Sequence, residues 1–168
     1  MAVALDEQDL RIVGLLLKDG RAPAAQIAEQ IGLSRPAVAD RIAKLEQMGV
    51  IRGTTVVVDP TALGREITAF IAARGGCSLS DHGQSLGRSS PESSKAFRDL
   101  MAEDEVLEVH IVAGEDCYFI KVRTDSIASL NDLVNRLTSP PLSLATRTTI
   151  VMETYCEKVG GITLGDKA

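Results

Sequence analysis

The chain has 168 residues, of which 45% are hydrophobic, 24% charged and only 3% aromatic, and its formal net charge is −5. That supply of Leu, Ile and Val excludes a disordered chain, and no window approaches the ~18 consecutive apolar residues of a membrane span. The acidic balance excludes a protein that coats nucleic acid without regard to sequence. Residues 1–60 hold seven basic and eight acidic side chains, so any basic face there is local.

In chain order, DLRIVGLLL (9–17) has its apolar residues at helical spacing, with Asp6 or Asp9 as candidate cap and Asp19-Gly20 as the stop. A second helix starts near Pro23 and runs to Ile31, and Gly32 breaks it. Ser34 can cap a third, RPAVADRIAKLEQMG, which carries Val38, Ile42, Leu45 and Met48 on one side. Three short helices with a tight glycine turn before the third describe a helix-turn-helix. The β-branched stretch VIRGTTVVVDP then predicts a short wing strand and a connection ending around Gly64.

The composition changes after that point. ITAFIAAR (67–74) reads as a strand, and residues 75–94, with four Gly and seven Ser, as a long flexible loop. A helix follows Pro91, then strands at 106–112 and 117–122 joined by the turn Gly114-Glu115-Asp116. SIASLNDLVNRL is a capped helix, and LATRTTIVMETYC (144–156) gives a last strand. The fold expected is α+β: an N-terminal winged helix-turn-helix and a C-terminal ferredoxin-like βαββαβ domain. The boundaries expected are 1–50 for the helix-turn-helix, 51–66 for wing and linker, 67–158 for the second domain, and 159–168 for a frayed tail.

Advancing ~100° per residue from Val38 keeps Ile42, Leu45 and Gly49 in one buried sector and groups Ala37, Asp40, Arg41 and Lys44 on another face. Arg35 sits in the first turn, beside Ser34, where backbone amides favour an anion. Free amides, two arginines, a lysine and a small Ala37 suit a DNA major groove. Arg41 is the candidate for a base edge; Arg35, Lys44 and Arg52 of the wing are candidates for phosphates. The plainer reading is a solvated helix face, and Asp40 would repel phosphate unless it accepts from a cytosine amino group or pairs with a cation.

These residues carry a resemblance. Leu5-Asp6 with Asp9, Asp19-Gly20-Arg21, Ile27-Ala28, Gly32-Leu33-Ser34, Val38, Arg41, Leu45-Glu46, Gly49-Val50-Ile51 and Asp59-Pro60 with Gly64 resemble the N-terminal part of the Lrp/AsnC transcription regulators. Gly114-Glu115-Asp116-Cys117-Tyr118 and Arg147-Thr148-Thr149-Ile150-Val151 resemble that family's ligand-sensing and oligomerising domain, so the likeness spans 5–157. It implies a regulator of transcription that binds double-stranded DNA, at a palindromic operator, as a homodimer assembling further. It also implies a small amino-acid effector held between subunits near the turn between the second and third strands. Two departures stand out: Cys117 replaces an acidic residue common in relatives, and the loop 75–94 is longer than usual.

The turn has chemistry of its own. Gly114 lets backbone amides approach a carboxylate, and Glu115 or Asp116 can take an ammonium group, with Cys117 beside them. Thr146, Thr148 and Thr149 could add hydroxyls. A hairpin turn and ordinary strand threonines are the bland alternative. Three cysteines at 77, 117 and 156, without a CxxC pair, read as a reduced, cytoplasmic chain; no secretory signal is evident in MAVALDEQDLR. Cys77, Asp81 and His82 match no zinc spacing, so neither a metal nor a cofactor is expected. His110, between Val109 and Ile111, reads as a packed histidine. Sirohaem decarboxylases resemble the same architecture and supply an enzyme alternative, but the chain has only His82 and His110 for tetrapyrrole carboxylates, and a non-enzyme is the expectation.

Overall fold

The computed structural model of the chain describes residues 4–75 and 91–157. Its contacts divide it into two units, one of Met1–Val57 with Cys156–Ala168 and one spanning Val58–Tyr155. The first consists of α1 (Glu7–Lys18), α2 (Ala24–Ile31) and α3 (Arg35–Gln47). Asp6 and Asp9 open α1 as a reciprocal pair. The Asp6 carboxylate accepts from the Asp9 amide at 2.8 Å, and the Asp9 carboxylate from the Asp6 amide at 3.2 Å. Gly32, at φ +72°, ends α2 in a left-handed conformation that a Cβ would strain, and it turns the chain directly into α3. The apolar stripes of the three helices meet in a core of Ile12, Ile27, Ala28, Ile31, Val38 and Leu45. At ~1.5–3 kcal/mol per fully buried large side chain, this core fixes α3 on its two neighbours.

Beyond α3 the expected wing strand is missing. Val50 and Ile51 donate their amides back to the Leu45 carbonyl at 2.9 and 3.2 Å, and residues 52–59 have no regular structure. Val56, Val57 and Val58 stand 62%, 73% and 55% exposed. A β-branched run becomes a strand only when a neighbour takes its hydrogen bonds, and no described residue of this chain does so.

The second unit begins with a short 3-10 turn, Thr61–Leu63, and continues as β1 (Ile67–Arg74), α4 (Pro91–Met101), β2 (Val106–Ile111), β3 (Tyr118–Thr124), α5 (Ile127–Thr138) and β4 (Ala145–Ile150). The strands form one antiparallel sheet in the order β2-β3-β1-β4, the split arrangement the sequence predicts. Strand alternation sorts the side chains. Ala69, Ile71 and Ala73 of β1 and Tyr118, Ile120 and Val122 of β3 are buried on the helical side, in one core with Phe97 and Leu100 of α4 and Leu130, Leu133 and Leu137 of α5. The opposite face is open and carries Phe70 and Phe119, 40% and 39% exposed.

Two expectations are corrected here. The last strand stops at Ile150 rather than 156, because its neighbour β1 starts at Ile67; Val151 adds one final bond to the Thr68 carbonyl at 2.8 Å. His110 is not packed. It lies opposite Phe119 on the open face, with its side chain 60% exposed and its Nε2 3.1 Å from Glu108 Oε2. Most of the expected loop 75–94, with Cys77, Asp81 and His82, and the tail 159–168 lie outside the described residues.

Candidate DNA-reading and effector sites

Helix α3 presents Arg35, Asp40 and Lys44 to solvent, with Ala37 half-buried among them and Arg52 exposed beyond the helix end. Arg35, Lys44 and Arg52 make no ion pair with any described residue. The helix start holds fewer free amides than its sequence suggests. Ser34 Oγ accepts from the Ala37 amide at 3.3 Å, Val38 donates to the Ser34 carbonyl at 3.1 Å, and Pro36 has no N–H. The Ser34 and Arg35 amides have no acceptor among the described residues, so an anion here would meet two backbone donors beside the side-chain cations.

Arg41 departs from the expectation. Its Nη1 donates to Asp6 Oδ2 at 2.7 Å and to Asp9 Oδ1 at 2.6 Å, so its guanidinium joins α3 to the first turn of α1 instead of facing outward. The helical wheel explains this: at ~100° per residue Arg41 falls about 40° from buried Leu45, on the border between the two faces. A long side chain there goes to whichever neighbour attracts it. The Asp9 side chain is only 9% exposed, so Arg41 partners a carboxylate largely withdrawn from water. The Asp9 amide, and then the Arg41 guanidinium, hold the Asp6 carboxyl below the ordinary carboxylate range, and the pair in turn raises Arg41.

This geometry predicts the behaviour of Arg41→Met. A carboxyl depressed in the folded chain stabilises it above its unfolded pKa of ~3.9, and that contribution is lost as pH falls through the lower folded value. At neutral pH the variant should exchange the amides of α1 and α3 several-fold faster than wild type. The difference should shrink on acidification below about pH 4, where the wild type loses the same contribution. Hydrogen exchange read by mass spectrometry checks both; equal exchange at neutral pH would place Arg41 outside the fold's framework.

The turn between β2 and β3 is closed by Val112 donating to the Cys117 carbonyl at 3.0 Å, and Cys117 donates its own amide to Ala73 at 2.9 Å. Gly114 adopts φ +146°, and a Cβ built on it meets nothing within 4 Å, so the turn faces open space. Glu115 is exposed and has no partner among the described residues. Asp116 is already taken, accepting from Arg147 Nη2 of β4 at 3.2 Å. Arg147, which stands in the run Arg147-Thr148-Thr149, is not among the residues that the sequence assigns to this turn, yet its guanidinium reaches it. Its side chain is 72% exposed, which leaves it able to meet a carboxylate.

The three threonines do not converge. Thr146 and Thr148 pair with Ala73 and Ile71 on the helical side, whereas Thr149 pairs with Phe70 on the open side. Cys117 also differs from expectation. It is buried and disulfide-bonded rather than a reduced thiol, so it offers nothing to an effector. Of the other cysteines, Cys156 is free and exposed, and Cys77 lies outside the described residues. Among the described residues no three His, Cys, Asp or Glu side chains gather as a metal site, and no helix is long and apolar enough to cross a membrane.

Comparison with known proteins agrees with both halves. A family model described as winged helix-turn-helix DNA-binding matches residues 5–52, and one described as Lrp/AsnC ligand binding domain matches residues 85–160. The HTH-type transcriptional regulator FL11 of Pyrococcus abyssi is 34% identical over 94% of this chain and 95% of its own. The HTH-type transcriptional regulator LrpA of Mycobacterium tuberculosis is 34% identical over 92% and 95%. A solved structure of the feast or famine regulatory protein from M. tuberculosis complexed with L-methionine superposes with a TM-score of 0.77. It is 32% identical and covers 93% of this chain and 97% of that one. These relatives are regulators, and none supports the decarboxylase alternative. With a helix-turn-helix that presents cations unpaired among the described residues, followed along the chain by a ferredoxin-like domain, the chain belongs to the Lrp/AsnC family of DNA-binding transcriptional regulators.

Proposed function

We propose that this regulator acts in the cytoplasm as a homodimer, or a higher assembly of dimers, on a two-fold symmetric operator. The observation that carries this reading is the exposed, unpaired cation set of α3, Arg35 and Lys44, with Arg52 next to it. Arg35 at the helix start reaches a base edge or the adjacent phosphate, and Lys44 and Arg52 neutralise phosphates. Ser34 and Ala37 let the helix start approach closely, and Asp40 is placed to accept from a cytosine amino group. Arg41 holds α3 at its angle from within. A single helix-turn-helix makes few contacts, and two of them about one DNA turn apart multiply those contacts. The apolar surface left uncovered supports self-association: Val56, Val57 and Val58, the open sheet face with Phe70 and Phe119, and Met152 and Tyr155, which are 95% and 91% exposed.

The effector we propose is a small amino acid at the Gly114–Asp116 turn. Glu115 takes the ammonium group, Arg147 and the backbone at Gly114 take the carboxylate, and Asp116 orients Arg147. Cys117 and Thr146 shape the turn from behind, and Thr148 and Thr149 belong to the strand that carries Arg147. The turn and α3 belong to different units, so the ligand acts on DNA by favouring one arrangement of subunits over another, which requires different affinities for the two. A coupling of ~1–3 kcal/mol changes operator affinity about 5–150-fold.

Gly114→Val tests the ligand site. The substitution strains a backbone at φ +146° and fills the space in front of the turn. Calorimetry with the proteinogenic amino acids should find a ligand for the wild type that binds the variant about tenfold or more weakly, a loss of at least ~1.4 kcal/mol. DNA affinity without ligand should stay near the wild-type value. A wild type that binds none of them, or a variant that binds equally well, would remove the site from this turn.

A further inference from the structure

A groove of about 430 Å³ lies between α4, α5 and the segment that follows α5. That is within the ~300–1,000 Å³ range of small-molecule pockets. Its apolar wall includes Leu100, Pro140 and Leu142, and its polar rim is Asp99, Glu103, Asn135, Arg136 and Ser139. None of these residues belongs to the Gly114–Asp116 turn or to β4.

The rim has unused bonding capacity. Arg136 donates only through Nη2, to Glu103 Oε2 at 2.5 Å and Glu105 Oε2 at 3.4 Å, leaving Nε and Nη1 without partners among the described residues. Glu103 Oε1, the Asn135 side-chain amide and the Ser139 hydroxyl are equally unengaged there. Asp99 accepts from Lys95 Nζ through one oxygen, Oδ2, at 2.6 Å. Donors for a carboxylate (Arg136, Asn135, Ser139), acceptors for an ammonium (Glu103, Asp99) and an apolar wall therefore border one space. A simple anion would meet two carboxylates there and a simple cation a guanidinium, whereas a molecule carrying both charges meets complements to each.

We propose that this groove is a second binding site, for a zwitterionic α-amino acid with an apolar side chain. The carboxylate sits on Arg136 with Asn135 and Ser139, the ammonium on Glu103 and Asp99, and the side chain against Leu100 and Leu142. This site stands independently of the effector turn and of DNA binding.

The test uses the full-length protein with leucine methyl groups labelled for NMR, and L-methionine as the probe. In both wild type and Gly114→Val, titration should shift the methyls of Leu100 and Leu142 to saturation. Butyrate, which lacks the ammonium, and propylamine, which lacks the carboxylate, should each bind there about tenfold or more weakly. Arg136→Gln should weaken L-methionine at these methyls by a similar factor, and Asn135→Ala, which disturbs no ion pair, should weaken it in the same direction. Unmoved Leu100 and Leu142 methyls in the wild type would overturn the proposal. So would butyrate or propylamine matching L-methionine, or Asn135→Ala binding like wild type. Loss of ligand at the turn alone, with these shifts intact, would count against the effector reading and leave this groove standing.

Discussion

Leu45→Ala should unfold the DNA-binding unit while the second unit stays folded. Leu45 is fully buried beneath α3, in contact with a core that has few other members: Ile12, Ile27, Ala28, Ile31 and Val38. Truncating a buried leucine costs about 2–5 kcal/mol, the lost transfer energy plus the cavity left behind. A unit ending at Val57 has only about 3–9 kcal/mol to lose, at ~0.05–0.15 kcal/mol per residue. The loss is amplified locally, because the Leu45 carbonyl also accepts from Val50 and Ile51, and a loosened α3 end releases that connection. Calorimetric melting should show a separate, lower transition for the first unit, and DNA binding should fail at temperatures where the second unit is intact. Glu46→Ala, on the exposed neighbour, should stay within about 0.5 kcal/mol of wild type. A Leu45→Ala protein with unchanged melting and DNA affinity would mean that α3 is not held by this core.

The second large effect concerns the face that core presents. Arg35→Ala and Lys44→Ala should each weaken operator binding, by ~1–3 kcal/mol where the side chain reaches a base edge. Where the side chain instead neutralises a phosphate, its removal should flatten the dependence of log affinity on log salt by about one unit. The double variant should therefore lose up to about two units of slope. Arg41→Met is the informative contrast. Its guanidinium is held by Asp6 and Asp9, so it should lower affinity through a less ordered α3 while leaving the salt slope of the folded fraction unchanged. Titrations by fluorescence anisotropy over a range of salt separate the outcomes. A slope that drops for Arg41→Met and not for Lys44→Ala would reverse the assignment of the two side chains.

The contrast between Arg41 and Lys44 marks where sequence reading reaches its limit. Helix and strand positions are legible because apolar spacing of 3.6 or 2 survives in a single chain, and the caps at Asp6, Ser34 and Ser126 stand where the pattern starts. Arg41 lies on the border of two faces, and its partners are more than thirty residues away in sequence, so no local period decides its direction. The wing reads as a strand from its valines, yet a strand is a property of two segments, and the second is absent from this chain's described residues. The threonines of β4 alternate as any strand must. Which of them faces the helices depends on β1 and on where α4 and α5 lie. Arg147 becomes a candidate for the turn only when β4 is folded alongside β1, which brings its guanidinium to Asp116.

The central claim is that α3 reads a defined DNA sequence and that an amino acid bound elsewhere in the protein alters that reading. The most direct measurement is selection of genomic fragments with the full-length protein, followed by titration of an enriched fragment with and without L-methionine and L-leucine. A two-fold symmetric sequence should be enriched, and at least one of the two ligands should change its affinity about 5–150-fold. Recovery of fragments without a shared sequence, or titration curves that coincide in the presence and absence of both ligands, would contradict it.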